Sequence, residues 1–389
     1  MLTIQTLNKI SVEGLNLFPR DQYEIATEIP SPDAILLRSQ NLHGVDLPES
    51  VKAIARAGAG VNNIPIDLCS ERGIVVFNTP GANANSVKEL VLAGLLLSSR
   101  RISEGISWVR TLKDEGERVP VLVEGEKKAF AGPEIAGKTL GVIGLGAIGA
   151  SVANTARALG MDVIGHDPFI TVEGAWELSS DVRRAVNLTA LIAESDYITL
   201  HTPLTDDTRG LIDDRLISHM KPGARILNFA RKELVDHEAL FRAFASGQVA
   251  AYVTDFPTAD LLAYDQVIPV PHLGASTPEA EANCAVMAVR QLRAFLEDGN
   301  IVNSVNFPTC QLPRSAGRRR LVITNRNIPK MVGRITTILA DGGVNIADMI
   351  NKGRGELAYN IIDLDSAIDA SVISRLEAVE GVINVRYLN

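Results

Sequence analysis

The chain has 389 residues, 46% of them apolar and 22% charged, and this length and composition predict two or three globular domains with sizeable cores. The net charge of −8 argues against a nucleic-acid partner, because the basic run from Arg318 to Arg320 is too short to offset it. No apolar stretch is long enough to span a membrane and the three cysteines have no paired spacing, so we expect a cytoplasmic protein with no membrane partner.

The first 80 residues alternate short apolar segments with helical or loop segments. Strands are predicted at 3–6, 23–26, 34–37, 53–56 and 74–77. Such alternation is typical of a parallel sheet with helices on its faces, which predicts a small flavodoxin-like α/β domain. A helix is predicted at 85–112, and its apolar middle indicates burial between domains or subunits, followed by a polar loop at 114–133.

A glycine-rich turn, Gly144-Leu145-Gly146-Ala147-Ile148-Gly149, lies between an apolar strand at 138–143 and a helical segment at 150–159. Asp167 follows 18 positions after Gly149, at the end of the next apolar segment. Strand, glycine turn, helix, second strand and acid together form the context of a dinucleotide site, whose pyrophosphate sits on the helix N-terminus. Asp167 favours a ribose hydroxyl over a 2′-phosphate, so the sequence predicts NAD rather than NADP.

Further strands are predicted at 163–166, 197–201, 225–229, 250–255 and 267–270, which with 139–143 make six. This pattern is typical of a Rossmann-type doubly wound parallel sheet. A helix at 278–298 then leads to a segment rich in turn residues, and from 321 to 388 the order becomes strand, helix, strand, strand, helix, strand. That order predicts a βαββαβ ferredoxin-like domain.

The predicted boundaries follow from these changes of pattern. We expect residues 1–90 with 283–306 to form a substrate-binding domain and residues 91–282 to form the dinucleotide domain. Residues 307–319 are predicted to be a linker, and residues 320–389 a third domain.

Polar residues follow several predicted strands at the edge where open α/β sheets bind ligands. Two such edges facing each other would form a cleft with NAD in its wall. Arg231 and His272 are predicted to act there, since an imidazole can take the hydroxyl proton as a hydride leaves and a guanidinium can hold a carboxylate. Each also has an alternative interpretation as a surface residue, and Asp260 shares its loop with Asp265. His201 is predicted to be a structural or cofactor contact, and no spacing indicates a metal site.

Five segments along the first 300 residues resemble motifs of the D-2-hydroxyacid dehydrogenases. They are residues 78–81, 144–149, 201–204, 228–231 and 271–277. Within this family, residues 56–64 and 271–277 are most similar to members that oxidise 3-phospho-D-glycerate. The C-terminal unit is similar to an ACT domain, which members of this family often carry for control by serine.

The resemblance implies a role for each site residue. Arg231 would bind the substrate carboxylate and carbonyl oxygen, His272 would be the acid/base, and Asp260, counted from Arg231, would replace a family glutamate. Contacts to the anionic small-molecule substrate would come from Arg38, Arg56, Gly58, Ala59, Gly60, Val61 and Asn78. Cofactor contacts would come from Gly144, Gly146, Ala147, Ile148, Gly149, Asp167, His201, Thr202, Pro203, Thr208, Ala230, Asp255 and Gly274.

The ACT-like unit departs from the usual effector-binding pattern, with Asn325 in place of a histidine and Lys330 in place of a glycine. L-Serine or another small effector is expected at Asn325, Asn327 and Asn345. The implied activity is NAD-dependent oxidation of 3-phospho-D-glycerate by a homodimer or homotetramer. The alternatives are another 2-hydroxy acid, such as glyoxylate, hydroxypyruvate or D-lactate, or a module that senses NADH without catalysis.

Overall fold

The computed structural model describes residues 1–315 and 317–388 and divides the chain into two compact units. Unit 1 comprises Met1–Ala82 and Glu281–Asn389, and unit 2 comprises Asn83–Ala280. Ala316 of the predicted linker and Asn389 at the end of the predicted regulatory domain lie outside the described residues. Within the described part of the chain, no helix has the length and apolar character needed to cross a bilayer.

Unit 1 begins with a five-stranded parallel sheet, which confirms the first predicted α/β segment. The strands are β1 (Leu2–Leu7), β2 (Tyr23–Ala26), β3 (Ala34–Leu37), β4 (Ala53–Arg56) and β5 (Val75–Phe77), in the order β2-β1-β3-β4-β5. The helices in this segment are α1 (Val12–Leu15) and α2 (Ile66–Glu71). All residues of β3 and β5 are buried, as expected for parallel strands covered on both faces.

Unit 2 begins with two helices where the sequence predicted one. These are α3 (Ala84–Ser99) and α4 (Ile102–Thr111), separated by Arg100 in an extended conformation. The predicted polar loop is also wrong in part, because it contains α5 (Val119–Glu126) with a proline at its start, a position that tolerates the missing N–H.

A seven-stranded parallel sheet forms the core of unit 2 and confirms the Rossmann-type fold. Its strands are β6 (Thr139–Ile143), β7 (Asp162–His166), β8 (Arg183–Arg184), β9 (Tyr197–Leu200), β10 (Ala224–Asn228), β11 (Val249–Thr254) and β12 (Val267–Pro269). They lie in the order β12-β11-β10-β9-β6-β7-β8. The sequence missed β8 because this edge strand has two residues, both exposed.

The helices of unit 2 alternate with these strands and cover the sheet. They are α6 (Ala147–Ala158), α7 (Val172–Trp176), α8 (Leu188–Glu194), α9 (Asp214–Ile217) and α10 (His237–Ser246). Because β6 and β9 are neighbours in the sheet but not in the chain, the strand order reverses beside β6, the position at which such folds bind ligands.

The chain continues with α11 (Pro278–Asp298) and then forms the predicted βαββαβ order. Its elements are β13 (Arg319–Arg326), α12 (Met331–Asp341), β14 (Ile346–Arg354), β15 (Leu357–Leu364), α13 (Ala370–Glu377) and β16 (Val382–Leu388). The strands pair antiparallel in the order β14-β15-β13-β16. Both the fold of this C-terminal segment and its element types are therefore as predicted.

The C-terminal sheet packs onto the first sheet within unit 1. Phe307 and Cys310, in the predicted linker, are buried in one core with Phe77 of the first sheet and with Val322 and Tyr359 of the C-terminal sheet. The Tyr359 hydroxyl also donates a hydrogen bond to the carbonyl of Gly299 at 2.7 Å. The structure thus groups the C-terminal segment with unit 1, and a separate regulatory domain behind a linker stays a prediction.

Candidate active site

The glycine turn after β6 is shaped for close approach of a ligand. Gly144 has φ +88°, and a Cβ on it would lie 2.7 Å from the carbonyl oxygen of His201. A Cβ on Gly149 would overlap the carbonyl oxygen of Gly144, whereas one on Gly146 would have no neighbour within 4 Å. The turn therefore packs tightly at its first and third glycines and is open at the second, as a pyrophosphate requires.

Helix α6 begins directly at this turn, so Ala147 and Ile148 form its first turn. Free N–H groups and the positive end of the helix dipole favour an anion at this position. Asp167 lies at the end of β7, where its carboxylate accepts hydrogen bonds from the N–H groups of Leu145 and Phe169, both at 2.8 Å. Its remaining lone pairs can accept a ribose hydroxyl, while its charge opposes a 2′-phosphate.

The segment after β9 lies against the same glycine turn. The Thr199 hydroxyl and the His201 Nε2 lie 3.0 Å apart, and burial lowers the pKa of His201 to about 4, so its ring is neutral near pH 7. Thr202 has a buried hydroxyl with no protein partner among the described residues. The Thr208 hydroxyl donates to the carbonyl of Pro203 at 2.7 Å, which fixes the loop. His201 and Thr202 thus lie beside the glycine turn, and their contacts to a cofactor stay a prediction.

Arg231, Asp255 and His272 come together at the carboxyl edge of β10, β11 and β12. Asp255 is buried, and this burial raises the pKa of its carboxyl against the opposing effects of His272, of the N–H groups of Asp255 itself and Gly274, and of Arg231. The ring of His272 contacts Phe256 edge-on, with centroids 4.7 Å apart, and His272 itself is exposed. A cation, a carboxylate and an imidazole thus share one edge of the sheet.

The loop from β10 into Arg231 is held by side-chain hydrogen bonds. Asn228 donates through Nδ2 to the carbonyl of Arg231 at 2.8 Å, and its Oδ1 accepts from the N–H of Ala230 at 3.2 Å. Arg231 Nη1 donates to the carbonyl of Ala230 at 2.6 Å. The backbone position of Arg231 is therefore fixed by Asn228, while its guanidinium is oriented by a single local contact that a substrate carboxylate can replace.

The structure pairs Asp260 with His237 rather than with His272. The Nδ1 of His237, the first residue of α10, lies 2.9 Å from Asp260 Oδ2. The Thr258 hydroxyl and the His237 imidazole lower the pKa of Asp260 to about 2, so this carboxylate is ionised at neutral pH. Counting along the chain from Arg231 could not reveal this partner, because the loop after β11 contacts the start of a helix that follows a different strand.

The predicted substrate residues lie at the carboxyl edge of the first sheet in unit 1. Asn8 accepts hydrogen bonds through Oδ1 from the N–H groups of Arg38, Ser39 and Gln40, which fixes the loop after β3. The Arg38 guanidinium forms an ion pair with Glu281 at 2.6 Å. Neither Asn8 nor Glu281 was predicted, and their distance from Arg38 in the chain leaves no local signal that would have found them.

Arg56 and Asn78 both contact the glycine-containing loop after β4, residues 57–61. The Asn78 side chain donates to the carbonyl of Ala59 at 2.6 Å, and the N–H of Thr79 donates to the carbonyl of Gly58 at 3.0 Å. Arg56 Nη1 donates to Asn62 Oδ1 at 3.0 Å, and a Cβ on Gly60 would lie 3.0 Å from the same nitrogen. Arg56, Gly58, Ala59, Gly60, Val61 and Asn78 therefore form one polar edge, as the sequence predicted.

The three predicted effector residues do not meet within one chain. Asn325 is buried and its Oδ1 accepts from Asn360 at 2.7 Å, so this side chain is engaged inside the sheet. Asn327 follows β13, which ends opposite Leu357, whereas Asn345 precedes β14, which begins opposite Leu364. Seven residues of β15 separate these two positions, or roughly 23 Å. An effector site that uses both ends needs a second chain.

In the part of the chain that the structure describes, no group of three or more His, Cys, Asp or Glu side chains is arranged to hold a metal ion. The residues around the glycine turn, in contrast, fit a dinucleotide.

Comparisons with known proteins agree with this assignment. Residues 92–274 match the family model described as D-isomer specific 2-hydroxyacid dehydrogenase, NAD binding domain, which confirms the predicted cofactor NAD. The D-3-phosphoglycerate dehydrogenase of Escherichia coli is 31% identical over 384 residues, 95% of this chain and 90% of that protein. The hydroxypyruvate reductase of Thermotoga maritima is 39% identical over 281 residues, 69% of this chain and 86% of that protein.

A solved structure gives the same result. The NAD+-bound 3-phosphoglycerate dehydrogenase of Entamoeba histolytica superimposes with a TM-score of 0.60 and 28% identity, over 78% of this chain and 98% of that one. Three other curated relatives are longer, and this chain spans 50 to 63% of their length.

Proposed function

Because the chain belongs to the D-isomer specific 2-hydroxyacid dehydrogenase family, we propose that it oxidises 3-phospho-D-glycerate to 3-phosphohydroxypyruvate with NAD, the first step of L-serine biosynthesis. The observation that carries this proposal is the convergence of Arg231, Asp255 and His272 at one edge of the sheet that also holds the glycine turn. The name D-3-phosphoglycerate dehydrogenase of the relative from E. coli, which matches over nearly the whole chain, supports the choice of substrate.

The three side chains divide the work of alcohol oxidation. His272 takes the proton from the substrate hydroxyl, which requires an imidazole that is exposed to the ligand side as this one is. Arg231 holds the substrate carboxylate and the neighbouring oxygen by a two-pronged contact and so fixes the carbon that reacts. When bound, NAD accepts the hydride that leaves this carbon. In the reverse direction His272 returns the proton.

A carboxylate stabilises the protonated imidazole, and the structure favours Asp255 over Asp260 for this role. Asp255 is 2% exposed and its charge acts on both His272 and Arg231, whereas Asp260 is exposed and paired with His237. Asp255→Asn is expected to lower turnover by about 10-fold or more, since a buried charge next to the imidazole is lost. Asp260→Asn, the matched control, should leave turnover within a few-fold. An equal loss of turnover in Asp260→Asn would instead favour Asp260, the residue predicted from sequence, as the carboxylate that stabilises the imidazole.

The phosphate of the substrate is assigned to the polar edge of unit 1. Arg56 and Arg38 supply the positive charge that a protein of net charge −8 needs locally for an anionic substrate. Arg38 is also paired with Glu281, so the incoming phosphate has to compete with that carboxylate. Glu281→Gln is therefore expected to lower the KM for 3-phospho-D-glycerate while leaving kcat unchanged.

A second candidate is oxidation of an unphosphorylated 2-hydroxy acid, or reduction of the corresponding 2-oxo acid, favoured by the hydroxypyruvate reductase relative and by the Arg38–Glu281 pair. A substrate panel decides between them, with NADH absorbance followed for 3-phospho-D-glycerate, D-glycerate, D-lactate and hydroxypyruvate. We expect the highest kcat/KM for the phosphorylated substrate. His272→Asn should reduce turnover about 10²- to 10⁴-fold, and turnover within a few-fold of the wild type would contradict the acid/base role of His272. Absence of turnover with every compound of the panel would favour a module that senses NADH without catalysis.

Association into a homodimer or homotetramer is proposed from the apolar side chains of α4 and α5. Neither helix has a buried residue among those described, and Ile106, Val109 and Val121 are exposed by 50, 43 and 75%. An L-serine site built from Asn327 of one chain and Asn345 of another would require such an assembly. A cytoplasmic location is supported by the three cysteines, all of which are free and buried.

A further inference from the structure

Helix α11 borders a cavity in unit 1 that takes no part in the proposed reaction. The cavity has a volume of about 500 Å³, within the range of small-molecule sites. It is formed by one face of α11, on which residues recur every three or four positions, and by two loops at 81–82 and 302–303. Its lining includes Gly81 and the polar residues Asn283, Arg290, Gln291 and Asn303.

Gln291 is the residue that marks this cavity as a site. Its side chain is 6% exposed, yet neither its Nε2 nor its Oε1 has a hydrogen-bond partner among the described residues. Buried polar groups in folded proteins are nearly always paired, because an unpaired buried amide carries its full desolvation cost. The Gln291 amide lacks both partners and is closed off from the adjoining cavity in this structure, so a ligand supplies the missing partners when the side chain turns toward the cavity.

The surroundings of Gln291 specify what that ligand offers. Arg290, the residue before Gln291 in α11, also lines the cavity. It is exposed and has no ion-pair or hydrogen-bond partner within the described part of the chain. The described lining contains no Asp or Glu, so the cavity is positive. Val286, Met287 and Ala294 add apolar surface. The site thus presents one cation, one amide donor and one amide acceptor beside an apolar wall.

We propose that this cavity binds a small carboxylate that carries a hydroxyl or ammonium group on the adjacent carbon. The carboxylate accepts hydrogen bonds from Arg290 and from Gln291 Nε2, and the neighbouring O–H or N–H donates to Gln291 Oε1. A fully ionised phosphate only accepts and would leave Oε1 unpaired, and a neutral peptide group would leave Arg290 without an anion. Only a molecule that joins an anion to a donor pairs all three groups.

Isothermal titration calorimetry on the full chain without NADH tests this proposal. L-Serine and L-lactate represent the ammonium and hydroxyl sources, and propionate is the carboxylate that lacks a donor. We expect millimolar binding of one of the first two and weaker binding of propionate. Gln291→Leu and Arg290→Gln should each weaken binding about 10- to 100-fold, the usual cost of a hydrogen bond to a charged group. Arg290 is exposed, so its variant keeps the test decisive if Gln291→Leu folds poorly.

The control variant is Asn345→Ala, in the effector site predicted from sequence. Unchanged binding in this variant places the ligand at α11, and loss of binding only in this variant would overturn the proposal. The proposal is also overturned if none of the compounds binds the wild type at millimolar concentration, which would mean that water satisfies Gln291. It is overturned as well if Gln291→Leu and Arg290→Gln bind the compounds as tightly as the wild type does. Because binding is measured without turnover, these results do not depend on whether the chain oxidises 3-phospho-D-glycerate.

Discussion

The neutral ring of His201 makes the stability of unit 2 depend on pH. Burial lowers its pKa from 6.5 to about 4, while the unfolded chain keeps the ordinary value. Below pH 6.5 the unfolded chain therefore binds a proton that the folded chain does not bind. The titration of His201 leaves the free energy of unfolding unchanged above pH 6.5. It lowers this free energy as the pH falls from 6.5 toward 4, and the loss stays constant below pH 4. At about 1.4 kcal/mol for each pH unit, the full loss is about 3 kcal/mol.

The assay is urea unfolding of the wild type and of His201→Asn, which cannot ionise, at several pH values between 7.5 and 4. Both tryptophans of the chain, Trp108 and Trp176, lie in unit 2, so tryptophan fluorescence follows this unit alone. Other groups also titrate in this range, and the quantity of interest is the difference in free energy of unfolding between the two proteins. This difference should shift by about 3 kcal/mol in favour of the variant as the pH is lowered.

His219→Asn is the matched control, since it removes an exposed histidine from the same unit. Parallel pH profiles of the free energy of unfolding for the wild type and His201→Asn would contradict the lowered pKa of His201. They would mean that the folded protein protonates His201 at no cost, and that its ring is hydrated rather than packed against the glycine turn.

The glycine turn, the buried ion pair of the C-terminal sheet and the exposed face of α4 each make a measurable prediction. Gly149→Ala should weaken NADH binding in a fluorescence titration by about 10-fold or more, because its Cβ overlaps a carbonyl of the turn, while Gly125→Ala, where a Cβ meets open space, should not. Arg320→Met leaves its buried carboxylate partner unpaired and should cost about 3 to 5 kcal/mol of stability in urea unfolding, against at most about 1 kcal/mol for the exposed pair of Arg318. Ile106→Glu should lower the mass measured by light scattering toward that of a single chain, since it charges an exposed apolar face.

Each of these has a clear contrary outcome. Equal NADH affinity in Gly149→Ala and the wild type would show that the turn moves aside freely. A small loss of unfolding free energy in Arg320→Met would mean that solvent reaches Asp363. If the loss is large, adding Asp363→Leu to Arg320→Met should recover much of it, because the unpaired carboxylate is removed. An unchanged mass in Ile106→Glu would place the subunit contact on another surface.

Most of the fold could be predicted from local patterns in the sequence. Buried parallel strands such as β3 and β9 are continuous apolar segments, and the glycine turn between β6 and α6 has requirements that only its own residues can meet. The two errors around α4 and α5 have a local cause as well. No glycine or proline marks the break between α3 and α4 at Arg100, and α5 is a short helix with no buried residue, so both the break and the helix that starts beside Pro120 were missed.

The site shows where local pattern stops. Arg231 and His272 could be predicted as site residues because the end of a parallel strand is a fixed position in the fold, whichever loop follows it. The partner of a charged side chain is not fixed in that way. Counting from Arg231 places Asp260 at the position of the family glutamate, but the loop after β11 turns to the start of α10 and brings Asp260 against His237, while Asp255 stays buried.

Most strands and helices, the dinucleotide turn and the residue types at the strand ends could be predicted from the sequence, because these depend on neighbours within a few positions. Only the tertiary structure decided that Arg38 meets Glu281, that the C-terminal sheet shares a core with the first sheet, and that Gln291 is buried without a partner. Such pairings join residues far apart in the chain, and they follow from how packed elements exclude water rather than from any spacing that the sequence displays.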